Sequence, residues 1–444
     1  MSDEVLRTQT GPLEFNRREA LGSLAVGLTW GAAAGRAAGL DPPARPRIAA
    51  VVTEYRKASH GEGIVDRFLD GYGRNGRHYL PKVEVVSLYV DQKPKGDLSA
   101  ERCARHKGLK LYPTIAEALT CGGKTLAVDG VLSIGEHGRY PRNSRGQTLY
   151  PRFEFFQQIV EVFRKSGKCV PVFNDKHLSW NWDWAKTMVD TAHELGFPFM
   201  AGSSLPVTWR IPAIDVPLGA DLDEVVSVGY GGVDSYDFHG LETLQCMAER
   251  RRGGETGVAA VRALRGASVW KALAKGCWDS GGCSRRLLEA CLCRSFTLGS
   301  PRKGYGHALP DLAQMPRLAR DPVLYRIEYV DGLKGTLLML SGLVGDFTVA
   351  VATKGRDQVL STQMYLPGLH PGQTLPNFFS ALARNVEAMF LSGKPTYPVE
   401  RTLLTTGILA SAIDSLTRDQ KRIETPHLRK IAYQSTREST FLRS

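Results

Sequence analysis

Short apolar runs in this sequence are each followed by ionisable side chains. Residues 47–53, 83–90 and 128–134 are rich in β-branched and aliphatic residues, a pattern typical of buried parallel strands. The side chains that follow such runs and could move protons or hold an anion are Glu54, Arg56, His60, Asp91, Glu136, His137, Asp175, Lys176 and His177. Because the carboxyl ends of parallel strands meet at one edge of a sheet, we expect these groups to share a crevice. Acid–base chemistry is the predicted use of that crevice.

Lys176, His239 and Glu242 have side chains that could take part in acid–base chemistry. Lys176 follows a strand, whereas His239 lies at the start of a helical pattern and Glu242 is one turn later on the same face. A lysine ammonium can polarise a carbonyl or alkoxide oxygen, and a histidine can carry a proton near neutral pH. Together these residues could act as general acid and base on one substrate.

The loop after the first strand, residues 54–61, departs from the usual nucleotide-binding pattern. It lacks the G-x-G-x-x-G motif, which lets backbone amides approach a pyrophosphate. Arg56 and Ser59, beside a helix start, can instead hold an anion through their side chains. Asp91 ends the second strand, where an acidic residue accepts hydrogen bonds from a ribose. The predicted cofactor-binding residues are Arg56, Ser59, His60, Asp91, Glu136, His137 and Asp175.

The order of predicted elements indicates an α/β fold in two parts. Over residues 46–205 strands alternate with helices, which favours a Rossmann-like, doubly wound parallel sheet. From residue 206 onward, predicted strands at 323–330, 335–340 and 347–353 follow one another, the first two joined by the hairpin signal Asp331-Gly332. We therefore expect an α+β domain over residues 206–444 with an open antiparallel sheet. Helices predicted at 377–391 and 401–416 would pack back onto the molecule.

The first 40 residues have the composition of an export signal. Arg17 and Arg18 precede an apolar, small-residue stretch over residues 21–34, and nearby alanines offer cleavage sites. The paired arginines resemble a twin-arginine signal, which predicts export of the folded protein, for example to the periplasm. An amphipathic N-terminal helix is the alternative. The apolar stretch is too short to span a bilayer, so no membrane span is expected after signal removal.

Composition excludes several classes of protein. The 444 residues are 43% hydrophobic and 23% charged, as in globular chains, which excludes a wholly disordered or fibrous chain. The net charge is +12, but the cations are interleaved with acids, so no nucleic-acid partner is predicted. Eight cysteines are too few for a disulfide scaffold and match no zinc spacing, so no metal is predicted. Buried or incidental thiols and a single disulfide are the alternatives for them.

Four motifs occur in an order that characterises one known family. Residues 112–119 are similar to Y-x-[ST]-x-x-E-x-L, and residues 129–134 are similar to D-x-V-x-I. Residues 167–170 match G-K-x-V, and Asp175-Lys176-His177 follow where that family has E-K-P. In this order and spacing, most of the mature chain resembles the Gfo/Idh/MocA oxidoreductases, which include glucose–fructose oxidoreductase and inositol dehydrogenase.

The resemblance implies an NAD- or NADP-dependent oxidoreductase that acts on a sugar, a polyol or a related hydroxy compound. Lys176 matches the family's catalytic lysine and His239 its catalytic histidine, while Ser235 stands where the family has an aspartate. Members of the family assemble through the open face of the second sheet, so a homo-oligomer is implied. Two alternatives stay open: a lyase or hydrolase on the same fold without nicotinamide chemistry, and a carbohydrate-binding protein without turnover.

Overall fold

A computed structural model describes the chain over residues 44–300, 309–319, 321–355, 357–367 and 377–443. The predicted export signal at residues 1–40 lies outside this described part. Both sheets discussed below belong to one compact unit, Arg45–Ser444. No helix in the described part of the chain is long and apolar enough to cross a membrane.

Strands and helices alternate in the first half of the described chain, as the sequence predicts. In chain order they are β1 (Arg47–Glu54), α1 (His60–Leu69), β2 (Tyr72–Arg74), β3 (Arg77–Tyr79), β4 (Glu84–Gln92), α2 (Ser99–Arg105), β5 (Lys110–Tyr112), α3 (Ile115–Thr120), β6 (Gly130–Ile134), α4 (Arg152–Ser166), β7 (Val172–Asp175), α5 (Trp182–Leu195) and β8 (Phe199–Gly202). Six of these strands form a parallel sheet in the order β5-β4-β1-β6-β7-β8, which is that of doubly wound dinucleotide-binding folds. The predicted Rossmann-like sheet is confirmed.

The two faces of this sheet are buried in separate apolar clusters. Val51 of β1 faces the cluster that contains Ile159 of α4, whereas its neighbour Val52 faces the cluster that contains Ile64 of α1. Side chains alternate along a strand, so a strand covered on both faces must be apolar throughout. This burial explains the uninterrupted apolar runs in the sequence. The strand order reverses between β1 and β6, and this is where the crevice opens.

The second half of the chain builds a larger, mixed sheet. Its elements are β9 (Arg210–Ile211), β10 (Leu222–Gly229), α6 (Asp237–Ala248), β11 (Val258–Arg265), α7 (Ala267–Leu273), α8 (Arg285–Arg294), α9 (Met315–Leu318), β12 (Val323–Tyr329), β13 (Lys334–Met339), β14 (Phe347–Thr353), β15 (Val359–Met364), α10 (Phe379–Ser392), α11 (Glu400–Thr417), β16 (Ile423–Glu424) and a short 3₁₀ helix (Leu428–Lys430). The strand order is β16-β11-β12-β13-β10-β14-β15-β9. Pairing is antiparallel except between β10 and β13, and the predicted hairpin joins β12 to β13.

Both faces of the second sheet are covered by helices of the same chain. On one face, Leu241 and Leu244 of α6 share a cluster with Val225 of β10. On the other face, Val226 of β10 is buried with Leu287 of α8 and with residues of α7. The sheet was expected to have an open face. Helices α7 and α8, which the sequence patterns did not reveal, cover that face instead.

The two helices near the C-terminus, α10 and α11, pack against elements of both sheets' regions. Helix α10 lies against α1, and a Cβ added to Gly63 of α1 would come within 2.7 Å of the Phe379 ring. Helix α11 contacts α5, α6 and β11. All eight cysteines are free thiols. Cys277 and Cys293 are exposed, and Cys246, Cys283 and Cys291 are buried.

Candidate active site

A cavity of about 550 Å³ lies at the crevice where the strand order reverses. Six of the predicted site residues line it: Ser59, His60, Glu136, His137, Lys176 and His239. They come from the ends of β1, β6 and β7 and from the start of α6. Aromatic residues complete its wall, among them Tyr150, Tyr236 and Phe379. The sequence therefore predicted most of the ionisable groups that meet here.

Lys176 and His239 are in direct contact. Lys176 Nζ lies 2.6 Å from His239 Nε2, and His239 Nδ1 lies 2.5 Å from Ser203 Oγ. Because an ammonium group can only donate, Nε2 is the accepting nitrogen and Nδ1 donates to Ser203. The Leu205 N–H also donates to this hydroxyl oxygen, at 3.1 Å. The serine after β8 therefore fixes both the orientation and the tautomer of His239.

The protonation of His239 follows from its surroundings. Burial, together with the neighbouring Lys176 cation, holds the pKa of His239 well below its usual range, so the ring is neutral at pH 7. Burial lowers the pKa of His137 to about 4, and the nearby His60 adds to this effect. Neutral imidazoles are available as proton acceptors, which a general base requires.

Glu136 is the anion of the cavity and is held by two cations. Arg152 Nη2 lies 2.5 Å from Glu136 Oε2, and Lys176 Nζ lies 3.7 Å from Oε1. Burial opposes ionisation of this carboxyl, but the Lys176 and Arg152 charges outweigh it and hold the pKa of Glu136 below its usual range. Arg152 also contacts His177 Nε2 at 2.9 Å, and its side chain is fully buried. Glu136 is therefore a carboxylate that lies between the Arg152 and Lys176 side chains.

His60 and Asp175 contact each other rather than separate parts of a ligand. Asp175 Oδ2 lies 2.6 Å from His60 Nδ1. Both were predicted to bind a cofactor, and in the structure Asp175 lies behind His60, which alone faces the cavity.

Glu242 lies outside the cavity, behind Ser203. Its carboxylate accepts hydrogen bonds from the Ser203 N–H at 2.9 Å and from Thr405 Oγ1 at 3.0 Å. It is fully buried and makes no hydrogen bond to His239 among those of the described residues. Glu242 thus acts on His239 through Ser203, as a positioning residue.

We expect Glu242→Gln to change how stability depends on pH. Burial raises the pKa of Glu242 from 4.5 to about 6, so the folded protein binds this proton more tightly than the unfolded chain does. Its ionisation therefore costs stability as the pH rises from 4.5 through 6. The free energy of unfolding of the wild type, relative to Glu242→Gln, should fall by about 2 kcal/mol across this window. Urea unfolding of both proteins at several pH values measures the difference, and a constant difference would contradict the prediction.

The turn between β1 and α1 is closed by its own side chains. Ser59 is the N-cap of α1, and its hydroxyl accepts from the Glu62 N–H at 3.2 Å. The Glu62 carboxylate in turn accepts from the Ala58 N–H at 2.5 Å. This arrangement is a variant of the capping box, in which the acid accepts from the residue before the N-cap. The sequence signal S-x-x-E at residues 59–62 was available, and it explains why α1 begins at His60.

Arg56 and Asp91 lie near the crevice but do not line the cavity. Arg56 Nε donates to Glu54 at 2.7 Å. Asp91, exposed at the end of β4, accepts from the hydroxyls of Tyr89 at 2.9 Å and Tyr140 at 2.6 Å. The structure therefore brings residues that follow β1, β6 and β7 together at the cavity. It places Arg56, Asp91 and Glu242 outside the cavity lining.

Several residues of the site were not predicted. Arg152 and Tyr236 belong to helix starts that carry no recognisable motif, and Phe379 comes from α10, far away in sequence. Ser203 directly follows β8, at the edge that the strand pattern identifies, so its position alone could have identified it as a site residue. Among the described residues, no three His, Cys, Asp or Glu side chains group as ligands for a metal ion.

Solved structures share this fold at low sequence identity. GenD2 from gentamicin A biosynthesis, in complex with NAD, has a TM-score of 0.51 and 15% identity, over 86% of this chain and 96% of GenD2. A Thermotoga maritima protein assigned as a dehydrogenase has a TM-score of 0.51 and 11% identity, over 86% and 99%. A Sinorhizobium meliloti 1021 protein assigned as a myo-inositol dehydrogenase has a TM-score of 0.50 and 12% identity, over 85% and 99%.

These likenesses confirm the predicted fold, a Rossmann-like parallel sheet followed by a sheet-and-helix region. No protein-family model and no curated protein matches the sequence.

Proposed function

We propose that the protein is an exported NAD- or NADP-dependent oxidoreductase that acts on a hydroxyl group of a sugar, a polyol or a related compound. The observation that supports it is the Lys176–His239 pair in the cavity at the strand-order reversal. Ligands of doubly wound folds bind at this point. The NAD in the GenD2 structure supports a cofactor of the same type here.

The residues around the crevice fit such a cofactor. Ser59, at the start of α1, lines the cavity, and Asp91 is exposed at the end of β4, where a ribose is held in dinucleotide folds. A Cβ on Gly61 would lie 2.5 Å from the Glu54 carbonyl oxygen, so a glycine lets α1 pack closely on β1. The phosphates would be contacted by side chains, including Arg56, because the capping box uses amides of this turn.

The chemistry then divides between cofactor and protein. When bound, the nicotinamide supplies the hydride acceptor. Lys176 donates a hydrogen bond to the reacting oxygen and stabilises the charge that develops on it. His239, neutral and fixed by Ser203, takes up the proton that the hydroxyl releases. Glu136 lies 3.7 Å from the Lys176 ammonium and helps to hold it at the cavity.

Nucleotide titration and a turnover assay test this proposal. Calorimetry should show saturable binding of NAD or NADP, weakened in Arg56→Ala and Ser59→Ala. A panel of inositols, hexoses and sugar acids, followed by the absorbance of the reduced nicotinamide, should identify a substrate. Lys176→Met serves as the matched control, since it should bind nucleotide but not turn over. Failure of both nucleotides to bind the folded wild type would contradict the proposal.

A second candidate is a lyase or hydrolase without nicotinamide chemistry. The observation that favours it is the capping box, in which Ser59 and Glu62 occupy backbone donors that a pyrophosphate would otherwise use. In that case, activity on a glycoside or an acidic sugar should require Lys176 and should not change when NAD or NADP is added.

The export proposal has its own test. Replacing Arg17 and Arg18 together by lysine should leave the protein in the cytoplasm, because the arginine pair is the distinguishing feature of the twin-arginine signal. Arg7→Lys, which changes an arginine outside the pair, is the control and should still be exported. Cell fractionation with an antibody measures the distribution. Equal export of the double variant and the wild type would contradict the assignment.

A further inference from the structure

The His60–Asp175 pair has the geometry of an oriented general base. Asp175 Oδ2 accepts a hydrogen bond from His60 Nδ1 at 2.6 Å, and the aspartate side chain is 1% exposed. Asp175 is the last residue of β7 and pairs with Gly202 of β8, which fixes its backbone. A buried carboxylate at Nδ1 selects one tautomer, in which Nε2 carries a lone pair. His60 therefore offers Nε2 as a proton acceptor.

The His60 ring is held in place on the cavity wall. Its centroid lies 4.9 Å from that of Phe379 and 5.2 Å from that of His137, with both partners in edge contact. The backbone N–H of His60 donates to His137 Nδ1 at 3.3 Å. The ring lines the cavity, and the side chain is 15% exposed. These contacts leave the ring accessible from the cavity.

The end of strand β7 supplies one residue to each of two side-chain pairs that could transfer protons at the cavity. Asp175, which orients His60, directly precedes Lys176, which contacts His239. The backbone of Lys176 has a φ of 67°, in the left-handed region that residues other than glycine rarely adopt. Lys176 lines the cavity, whereas the preceding Asp175 reaches it only through its contact with His60. A base and an ammonium group facing the same space can act on neighbouring atoms of one substrate.

We propose that His60, oriented by Asp175, removes a proton from the carbon next to a carbonyl group whose oxygen Lys176 holds. The inference rests on the proposed function, because oxidation of a hydroxyl would produce that carbonyl. The ligand class is accordingly a keto polyol or keto sugar with a hydrogen on the adjacent carbon.

The step is balanced within the substrate and the protein. The C–H electron pair becomes the new carbon–carbon π bond, and the carbonyl π pair moves onto oxygen, where the Lys176 ammonium stabilises it. The proton goes to His60 Nε2, and Asp175 stabilises the resulting imidazolium. Return of a proton from His60 to the same carbon restores the ketone, so no oxidant or reductant is consumed.

Deuterium exchange tests this step without any nicotinamide. The probe is 2-keto-myo-inositol in D₂O, followed by proton NMR at the carbons beside the carbonyl. Wild-type protein should exchange these hydrogens faster than buffer does, and His60→Ala and Asp175→Asn should each slow the exchange by about 10²–10⁴-fold. Asp70→Asn is the matched control, because Asp70 lies 3.0 Å from His106 in a surface pair away from the cavity. It should exchange like the wild type.

No exchange by the wild type above the buffer rate, or equal exchange by wild type and His60→Ala, overturns the proposal. Because hydride transfer is measured separately with NAD or NADP, failure of that assay is distinguishable from failure of this one.

A second measurement tests the orientation of His60 by Asp175 and needs no substrate. Diethyl pyrocarbonate acylates unprotonated imidazole nitrogen, and peptide mass spectrometry locates the product. His60 in the wild type should react several-fold faster than in Asp175→Asn, while Asp175→Glu restores part of the rate. Equal reactivity of His60 in the wild type and in a folded Asp175→Asn overturns the orientation by Asp175.

Discussion

Lys176→Met and His239→Ala should each reduce kcat by about 10³-fold or more relative to the wild type. The double variant should have a kcat only slightly lower than that of either single variant. The reason is the contact between Lys176 Nζ and His239 Nε2 at 2.6 Å, which makes the two side chains one unit for a single proton. Groups that act on one transition state lose their joint contribution when either is removed. A double-mutant cycle on kcat measures this, with circular dichroism to verify folding.

The control for this cycle is Ser203→Ala. It removes the hydroxyl that orients His239 but leaves the reacting groups in place, so a smaller loss is expected than for either single variant. Fully additive losses in the Lys176 and His239 variants would show that the two residues act in separate steps. Full activity in Lys176→Met would remove the lysine from the mechanism.

Arg152→Met should destabilise the folded protein by about 3–5 kcal/mol, the usual cost of breaking a buried ion pair by removing one partner. Arg152 is fully buried and contacts both Glu136 and His177. Its loss leaves the Glu136 carboxylate with Lys176 alone, at 3.7 Å. Urea unfolding measures the effect on the free energy of unfolding.

A surface pair provides the matched control for Arg152. Arg145 contacts Asp414 at 2.5 Å, but the two side chains are 48% and 25% exposed, so Arg145→Met should cost about 1 kcal/mol or less. The double variant Arg152→Met with Glu136→Gln should recover part of the loss, because it removes the unpaired charge. A cost for Arg152→Met no larger than that of Arg145→Met would show that the buried pair is not a stabilising unit.

The residues that the sequence predicted best are those fixed by local pattern. The strand predicted at 347–353 matches β14 residue for residue, because apolar periodicity acts within a few positions. The position of the crevice could be predicted in the same way, because the residues that follow parallel strands lie at one edge of the sheet. His60, Glu136, His137 and Lys176 were predicted on this basis.

The partners of these residues could not be predicted because they depend on distant parts of the chain. Arg152 meets Glu136 across a loop, and Phe379 reaches His60 from a helix more than 300 positions later. The hydrogen bond between His60 and Asp175 joins the ends of two strands whose spacing only the assembled sheet defines. Pattern identifies which residues reach an edge, whereas tertiary contact decides which of them pair.

Helices α7 and α8 have a consequence for assembly. Leu287, Leu288 and Leu292 of α8 are buried against the second sheet, on the face that includes Val226 and Leu338. In the family that the sequence resembles, a second subunit would occupy such a face, whereas this chain supplies its own apolar partner. Because α7 and α8 already cover this face, a second copy of the chain could not pack against it directly.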